Sequence, residues 1–468
     1  MKKISIVLLA CFFAIGCNKF GDLNVNPNLP SQASGTQLIA NAALSLAGLS
    51  TTPAGEFAAQ YLSETQYPGA SLYPEGGTSF YGLYQGPLMN LETVIKSQTL
   101  SGTEGPVPNQ VAVAKILKAY FLWHITDRWG DVPMSEALLG SADFTPKYDR
   151  QADIYNALFA LLDEANAAII TGNISNDIIY AGDMQKWKRL GNTIHQLMAL
   201  RLSKIDAGKG ALEFNKAITQ GVMTSNADNL VFKHLLDANN QNYWYGQVVN
   251  QNREWWALSS LLVNKMKPVN DPRLPVFGSP ARSNSQFTGL PLGTITGLPN
   301  TNAYSLMGTA VFAQNASIHL VTYAQSLFAK AEAAKLGWIT GGDAVAKTNY
   351  DLAIEQSVRQ WNNNNITGLA AMMLTPEVAY NPATALEQIA TQRWIHLFMH
   401  GYEGWAEWRR TGYPALAPPV GDPTRPVPRR NSYPDAERFN NTENYLEAIQ
   451  RQFGGTDRIS GRVWWDKP

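Results

Sequence analysis

Two aromatic clusters in loop-like sequence are the residues best suited to binding chemistry. The first runs from Tyr67 in YPGASLYPEGGTSFYGLYQ, and the second is NNQNYWYGQ. Aromatic rings pack on the C–H faces of sugars, and amide side chains both donate to and accept from hydroxyl groups. The alternative is that both loops only pack against the body of the protein. We predict a ligand-binding set drawn from both clusters: Tyr73, Phe80, Tyr81, Asn242, Tyr243, Trp244 and Tyr245. Trp244→Ala is then expected to weaken binding without unfolding the protein.

A second group of chemically capable residues follows if residues 392–410 form one continuous helix. His396, His400, Glu403 and Glu407 then share one face, and two imidazoles with two carboxylates could ligate zinc. The spacing H-E-x-x-H is absent, so we interpret the four as structural and predict no metal site. The opposite face carries residues that we predict to be core: Trp394, Leu397, Phe398, Gly401, Trp405 and Trp408.

Signatures of catalysis are missing from the sequence. There is no G-x-S-x-G, P-loop or G-x-G-x-x-G motif, and His124 lies on an apolar helix face without a nucleophile motif, as a core histidine would. Asp271 and Arg273 flank Pro272 and are interpreted as a turn fixed by an ion pair. We predict that the protein is not an enzyme and needs no cofactor. Bound calcium stays an open alternative, although the spacing of an EF-hand calcium loop is absent.

The amino-acid composition and charge balance exclude one class of binding partner. The 468 residues include 37 basic and 37 acidic side chains, and 45% of residues are hydrophobic. Such a chain should fold, because charge repulsion is weak and apolar residues are plentiful. No block of like charge is long enough to follow a phosphate backbone, so nucleic acid is not an expected partner.

The amino-terminal sequence is typical of a bacterial lipoprotein signal peptide. Two lysines precede an apolar run from Ile4 to Ile15, and Gly16 leads directly to Cys17. We predict a signal peptide over residues 1–16 and lipidation of Cys17, which excludes an intramolecular disulfide because Cys17 is the one cysteine of the mature chain. No later run approaches the roughly 18 apolar residues of a membrane helix, so the lipid would be the sole membrane attachment.

The elements that must position the aromatic clusters are mainly helical. Helical apolar spacing recurs after Val113, ending at Gly130, and again from Trp187 to Met198. The segments TYAQSLFAKAEAAKLGW and YDLAIEQSVRQW resemble a tetratricopeptide helix pair. Strand signals are weak throughout. We predict a mainly α fold, with a single body over residues 17–468 and loop-rich segments at 67–85, 239–256 and 270–317.

Several motifs together resemble the SusD/RagB family of outer-membrane nutrient-binding lipoproteins from Bacteroidetes. They are the lipoprotein Cys17, RWGDVPMSEA, NDPRLPVF, TYAQSLFAKAEAAKLGW and, most specifically, QRWIHLFMHGYEGWAEWRRTGYP. The resemblance covers nearly the whole chain. It implies a body of four tetratricopeptide-like helix pairs with an irregular ligand-binding part, and no enzymatic activity. It also implies an outer-membrane location, facing the cell surface, and a SusC-like TonB-dependent transporter as partner.

These observations lead to one main hypothesis and three alternatives. The main hypothesis is a surface lipoprotein that captures oligosaccharides and passes them to the transporter. Capture of peptides by the same lid mechanism is the first alternative, since extended peptides also use aromatic clefts. A glycoside hydrolase would need two carboxylates whose separation is set in space and not along the chain. A purely structural surface protein would bind no small ligand.

Overall fold

Helices make up most of the described chain, which is residues 33–468 of a computed structural model. The predicted signal peptide at 1–16 and the predicted lipidation site Cys17 lie outside these residues. Across residues 33–468, no helix is both long enough and apolar enough to cross a membrane.

The longer helices are numbered here in chain order. Those of six or more residues within the described range are α1 Gly35–Leu44, α2 Pro53–Ala58, α3 Met89–Lys96, α4 Val107–Trp129, α5 Gln151–Ala168, α6 Met184–Arg201, α7 Ala207–Gln220, α8 Ser260–Met266, α9 Tyr323–Lys335, α10 Gly342–Trp361, α11 Ala385–His396, α12 Gly401–Thr411 and α13 Thr442–Phe453. Shorter helical turns include Tyr243–Tyr245, Leu274–Phe277, Leu369–Met373 and Glu437–Asn440.

The strands are short and form two antiparallel pairs. Strand β1 (Leu62–Glu64) pairs with β3 (Trp256–Leu258), and β2 (Leu230–Phe232) pairs with β4 (Ile318–Val321). The register of the second pair is irregular between Leu230 and Val231. Neither pair could be stable alone, so both must be held by the helices around them.

Four pairs of consecutive helices that pack together build the scaffold: α4 with α5, α6 with α7, α9 with α10, and α11 with α12. Helix α6 also packs on α5 and on α9, and α9 packs on α11. The predicted mainly α fold of four helix pairs is therefore confirmed. The apolar faces predicted around Val113 and Trp187 are buried in α4 and α6.

Local sequence sets the ends of these helices. Thr322 caps α9 in a capping box, in which its hydroxyl accepts from the backbone N–H of Gln325 and the Gln325 side chain accepts from the N–H of Thr322. Helix α4 ends at Gly130, whose φ of +91° lies in the left-handed region that glycine favours. The start of α9 and the end of α4 are therefore set by local sequence.

The segment around residues 392–410 departs from the sequence prediction. It forms two helices and not one, because α11 ends at His396 and Met399 has a positive φ of +63° before α12 begins. A Cβ at Gly401 would lie 2.2 Å from the backbone carbon of Gly55, so only glycine allows this close approach of α12 to α2. The prediction that Trp394, Trp405 and Trp408 are core is confirmed, since all three are buried.

Arg201 is the centre of a buried charge network between helix pairs. Its guanidinium is inaccessible to solvent and contacts Asp127 of α4 at 3.0 Å and Glu403 of α12 at 2.6 Å. It also bonds to Glu407 of α12. Burial raises the pKa of Glu403 to about 7, with the nearby cation of Arg201 opposing the shift.

Glu407 extends the same network to two further helices. Its second carboxylate oxygen accepts from Arg393 of α11 at 2.5 Å and from Arg410 at 2.7 Å. Arg410 in turn pairs with Glu332 of α9 at 2.6 Å. Burial acts to raise the pKa of Glu407, but the three arginines outweigh it and hold this pKa well below its usual range. Glu403 and Glu407 are therefore ion-paired in the interior, which agrees with their interpretation as structural residues.

The remaining structural predictions can also be located. Asp271 and Arg273 form a buried ion pair at 2.6 Å, which confirms the predicted turn. His124 is buried and lies 3.3 Å from Arg128 through Nε2, as expected for a core histidine. The carboxyl-terminal tail packs back on the body, where the indole of Trp465 donates to Asp127 at 2.8 Å.

The first prediction concerns the network. Glu407→Gln should lower the free energy of unfolding by about 3–5 kcal/mol, because it removes one of the negative charges that compensate three buried guanidinium groups. Urea denaturation followed by circular dichroism measures the change. Glu355→Gln is the matched control, since Glu355 pairs with Arg359 on a partly exposed surface of α10, and should cost at most about 0.5 kcal/mol. Equal losses in both variants would contradict a special role of the network.

The second prediction concerns pH and Glu56 of α2. Burial raises the pKa of Glu56 from 4.5 to about 8 although its carboxylate accepts from the backbone N–H of Gly401. Between pH 4.5 and about pH 8, the folded state therefore binds a proton that the unfolded state releases. Glu56 thus makes the free energy of unfolding fall as pH rises through this range, by up to about 1.4 kcal/mol per pH unit.

Glu56→Gln should remove this contribution. Relative to the variant, the parent protein should lose stability between about pH 5 and about pH 8 in urea titrations. Glu75→Gln provides the control, because it replaces an exposed carboxylate, keeps the buried Glu56 and should therefore keep the parent's loss of stability. Parallel profiles for the parent and Glu56→Gln would show that Glu56 does not bind the proton.

Candidate functional site

The β1–β3 ladder brings two distant loops side by side. Its register pairs Leu62 with Leu258 and Glu64 with Trp256. Just beyond β1, the backbone N–H of Thr65 donates to the carbonyl of Trp255 at 2.7 Å. The residues that follow β1 therefore lie beside those that precede β3.

The turn after β1 is fixed by the side chain of Glu64. One carboxylate oxygen accepts from the backbone N–H of Gln66 at 3.1 Å and of Tyr67 at 3.4 Å. Burial raises the pKa of Glu64, and these N–H donors oppose the shift. The hydroxyl of Ser71 accepts from the N–H of Glu64 at 3.0 Å. These bonds orient Tyr67 toward the surface, where 59% of it is exposed.

Tyr67, Arg253 and Trp255 form an aromatic platform at this junction. The rings of Tyr67 and Trp255 meet edge to face, with centroids 5.0 Å apart and planes at 85°. The guanidinium carbon of Arg253 lies 4.1 Å from the centroid of the Trp255 ring. Trp255 is half-buried and Tyr67 is exposed. The platform thus offers flat π surfaces and N–H donors together, which is the combination that sugar rings bind.

Buried aromatic rings support the platform from behind. Trp256 lies 5.7 Å from Trp255, Trp244 lies 5.1 Å from Trp256, and Tyr243 lies 5.2 Å from Trp244, all between ring centroids. Tyr243 emerges at the surface with 37% exposure. One continuous row of rings therefore connects the platform to a second exposed tyrosine.

A cleft of about 200 Å³ opens beside the platform. It contains one ion pair, in which Arg282 donates to Glu254 at 2.9 Å, and this contact lowers the pKa of Glu254. Thr301 donates to the same carboxylate at 3.4 Å. The remaining lining includes apolar and aromatic side chains: Val248, Trp256, Pro280, Tyr304, Leu306, Met307 and Phe312.

Larger clefts elsewhere lack an exposed aromatic surface. A cleft of about 660 Å³ is lined by residues of α1 and of the 174–181 loop, without an aromatic ring. Another of about 520 Å³ is lined by Tyr73, Tyr402 and Trp405 among others, and these three side chains are buried. The junction of β1 and β3 is therefore the described surface best suited to a sugar.

The second predicted cluster lies next to the platform but is only partly at the surface. Asn242 is buried and caps a helical turn, since its side chain accepts from the N–H of Trp244 at 2.8 Å and donates to the carbonyl of Ala316 at 2.9 Å. Trp244 is inaccessible to solvent. Tyr243 is exposed and Tyr245 is half-buried, so part of each of these two side chains lies at the surface.

The first predicted cluster is divided between two regions of the core. Tyr73 packs in the same apolar cluster as Trp244, and its hydroxyl accepts from Gln60 at 2.9 Å. Phe80 packs elsewhere, against Trp129 with ring centroids 5.5 Å apart, and the hydroxyl of the neighbouring Tyr81 bonds to Glu437. Phe80 and Tyr81 are thus not joined to the Trp244 cluster. Ligand contact by any of the seven residues stays a prediction.

The sequence prediction missed the platform itself. Tyr67 belongs to the first aromatic cluster but is not among the seven predicted residues, and Arg253 and Trp255 are not among them either. A signal exists in NREWWALSS, because alternate residues of a strand face opposite sides. If Trp256 and Leu258 face the core, Trp255 must face outward.

Potential metal ligands are already engaged by protein groups. The break between α11 and α12 separates His396 from the Glu403 face, and both ring nitrogens of His396 contact hydroxyls, Thr322 at 2.7 Å and Ser357 at 2.9 Å. Within residues 33–468, Asp163, His195 and Glu213 place ligand atoms within 4.8 Å of one another. His195 bonds to Glu213 at 2.9 Å and Lys216 pairs with Asp163, so these carboxylates have partners without a metal.

The third prediction revises the expectation for Trp244. Because its indole is fully buried against Trp256, Trp244→Ala should lower the free energy of unfolding by about 3–5 kcal/mol through loss of packing and a residual cavity. Thermal and urea unfolding measure this loss. Tyr243→Ala is the control at the neighbouring exposed ring and should change stability far less. A Trp244→Ala protein as stable as the parent would contradict the core assignment.

Comparisons with known proteins agree with this architecture. A family model, SusD-like_2, described as "Starch-binding associating with outer membrane", matches residues 27–434. A search of curated proteins finds no match. Among solved structures, a chitin-binding protein is 29% identical with a TM-score of 0.80, over 93% of this chain and 100% of that one.

Two further solved structures share the fold. A SusD homologue from Bacteroides fragilis is 26% identical with a TM-score of 0.79, over 93% of this chain and 100% of the other. A chitin-binding SusD homologue from Flavobacterium johnsoniae is 24% identical with a TM-score of 0.77, over 92% and 98% of the two chains. Because the family model spans most of the sequence, the resemblance drawn from its motifs is confirmed: this chain belongs to the SusD-like family.

Proposed function

We propose that this protein is an outer-membrane lipoprotein that binds oligosaccharides at the Tyr67–Arg253–Trp255 platform. The observation that carries the proposal is the exposed edge-to-face ring pair with an adjacent guanidinium, in a chain whose family is described as starch-binding. A sugar ring stacks its C–H face on the indole or the phenol, and its hydroxyls accept from Arg253.

Binding requires no covalent step. The platform supplies apolar area and hydrogen bonds, and the ligand leaves unchanged. The family description names binding and no reaction, which supports a protein that is not an enzyme. Tyr243 and Tyr245 extend the ligand surface in this proposal, while Tyr73, Asn242 and Trp244 hold the loops behind it. Phe80 and Tyr81 lie in the other region of the core and have no part in this surface.

The proposal includes an anchor and a partner. Cys17 carries the lipid that attaches the protein to the outer membrane, facing the cell surface, and a SusC-like TonB-dependent transporter receives the captured ligand. The family description associates such proteins with the outer membrane, and the motifs of this sequence support the rest through their resemblance to SusD/RagB lipoproteins.

The fourth prediction tests the platform. Trp255→Ala should weaken oligosaccharide binding by about tenfold to a hundredfold, because a stacked aromatic side chain contributes about 1.5–3 kcal/mol through buried apolar area. Isothermal titration of the mature protein in detergent, against oligosaccharides from starch, chitin and cellulose, measures the affinities. Phe439→Ala is the matched control, since Phe439 is an exposed aromatic (83%) on a separate helical turn.

Two results would favour another function, and a third would change the position of the binding surface. Binding of peptides but of no oligosaccharide would indicate peptide capture. Release of shortened products during titration would indicate a hydrolase. Equal weakening by Trp255→Ala and Phe439→Ala would move the binding surface away from the platform.

A further inference from the structure

Arg253 carries a positive charge that no carboxylate among the described residues balances. Its one side-chain hydrogen bond within residues 33–468 runs from Nη1 to Oε1 of Gln247. The other two guanidinium nitrogens, Nε and Nη2, have no partner in this part of the chain, and neither atom is buried. Two nitrogens that carry N–H groups are therefore open to a ligand.

The carboxylates of the β1–β3 junction are engaged by other groups. Glu254 forms two hydrogen bonds with Arg282, one of them 2.9 Å long. Glu64 accepts from the backbone N–H groups of the turn that follows β1. A ligand anion at Arg253 thus displaces no ion pair of the protein. It also gains charge-assisted hydrogen bonds, which are roughly twice as strong as neutral ones.

Nε and Nη2 form the side of the guanidinium that fits a carboxylate. Their N–H groups make a fork that matches the two oxygens of a planar carboxyl group. Two buried ion pairs of this chain have this geometry. Arg273 contacts Asp271 through Nε at 2.9 Å and through Nη2 at 2.6 Å. Arg429 contacts Asp466 through the same two nitrogens. Arg253 offers the same fork without a protein acceptor.

The position of Arg253 places this fork at the proposed sugar-binding surface. Its guanidinium carbon lies 4.1 Å from the centroid of the Trp255 ring, and this stacking restricts the orientation of the guanidinium plane. Burial raises the pKa of Tyr243 and the cation of Arg253 opposes the shift, so this charge also lies near the second exposed tyrosine. A sugar on the platform therefore holds its substituents within reach of the guanidinium.

We propose that Arg253 binds the carboxylate of a uronic acid residue, so that the preferred ligand is an acidic oligosaccharide. The proposal rests on the function proposed above and names the class of glycan. The sugar ring packs on Trp255 or Tyr67, and its two carboxylate oxygens accept from Nε and Nη2 of Arg253. Gln247 holds the guanidinium from the other side through Nη1 and so fixes the fork.

The experiment compares oligosaccharides that differ in charge alone. Oligomers of galacturonate, mannuronate and guluronate are each paired with their own methyl ester, which keeps the sugar and the linkage but removes the negative charge. Isothermal titration of the mature protein in detergent should show at least one uronate bound about tenfold more tightly than its ester. Raising the salt concentration from about 0.1 M to about 1 M should shrink this preference, because an ion pair at the surface is screened.

Two substitutions at Arg253 test the fork. Arg253→Gln should abolish the preference for the uronate and change the affinity for the ester much less. Arg253→Lys keeps the charge but not the fork, and should keep only part of the preference. Arg438→Gln is the matched control, since it removes a half-exposed arginine from the Glu437–Asn440 turn, and should leave the preference intact. Melting temperatures show whether each variant is folded, and the salt dependence of the parent tests the charge without any substitution.

The outcomes separate this proposal from the previous one. Equal affinity of the parent for every uronate and its ester would overturn carboxylate recognition but leave oligosaccharide binding in place. A preference that persists in Arg253→Gln would overturn the assignment to Arg253, and a full preference in Arg253→Lys would overturn the role of the fork. Tighter binding of a sulfated galactan oligosaccharide than of any uronate would overturn the carboxylate as the recognised group. Failure of the parent to bind any oligosaccharide, neutral or acidic, would overturn both proposals.

Discussion

The four helix pairs depend on one buried cation, the guanidinium of Arg201. It lies at the end of α6 and contacts carboxylates from α4 and α12. Through Glu407 the same network reaches Arg393 of α11, and through Arg410 it reaches Glu332 of α9. Helices that are far apart in sequence are therefore fixed by charges whose geometry tolerates little displacement. Such a network stabilises only when every member is present, since a lone buried charge is far more costly than an exposed one.

The binding surface relies on this scaffold without being part of it. The β1–β3 pair is only three residues long on each side, and its apolar residues pack with Trp394, Trp405 and the other side chains of α11 and α12. The helices thus hold the short ladder, and the ladder sets the distance between Tyr67 and Trp255. The helices form the scaffold because their backbone groups hydrogen-bond to one another within each helix. The loops carry the binding surface because their aromatic rings and amides stay available to a ligand.

Much of the fold could be predicted from the sequence because helical apolar spacing is a local signal. The stripes of α4 and α6, the glycine that ends α4 and the pair formed by α9 and α10 are all visible in short windows. The break between α11 and α12 is not visible there, and the close approach of Gly401 to Gly55 beside it joins residues more than 300 positions apart. Likewise, Glu403 and Glu407 resemble an exposed helix face until their arginine partners on other helices are known.

The sequence predicts the types of residue at the candidate site and the loops that carry them, but not which of these residues lie at the surface. Composition indicated aromatic and amide recognition on the loops that the structure places at the site, yet it could not tell which rings are exposed. Trp244, Trp255 and Trp256 are all tryptophans, so residue type does not distinguish them. Only the packing of the folded chain buries Trp244 and Trp256 and leaves Trp255 facing outward. The contact between Tyr67 and Trp255 is a tertiary contact, so it cannot be predicted from any short stretch of the sequence.

The pairing across the platform also bears on how the protein folds. Thr65 bonds to the carbonyl of Glu254, across 189 residues of sequence. Contacts of such long sequence separation form slowly, because the chain between them must first lose its freedom, whereas paired neighbouring helices need only a short turn. We therefore expect the platform to be assembled after the helix pairs. Ligand affinity would then be acquired late in folding, and a chain arrested earlier would have helices but no receptor surface.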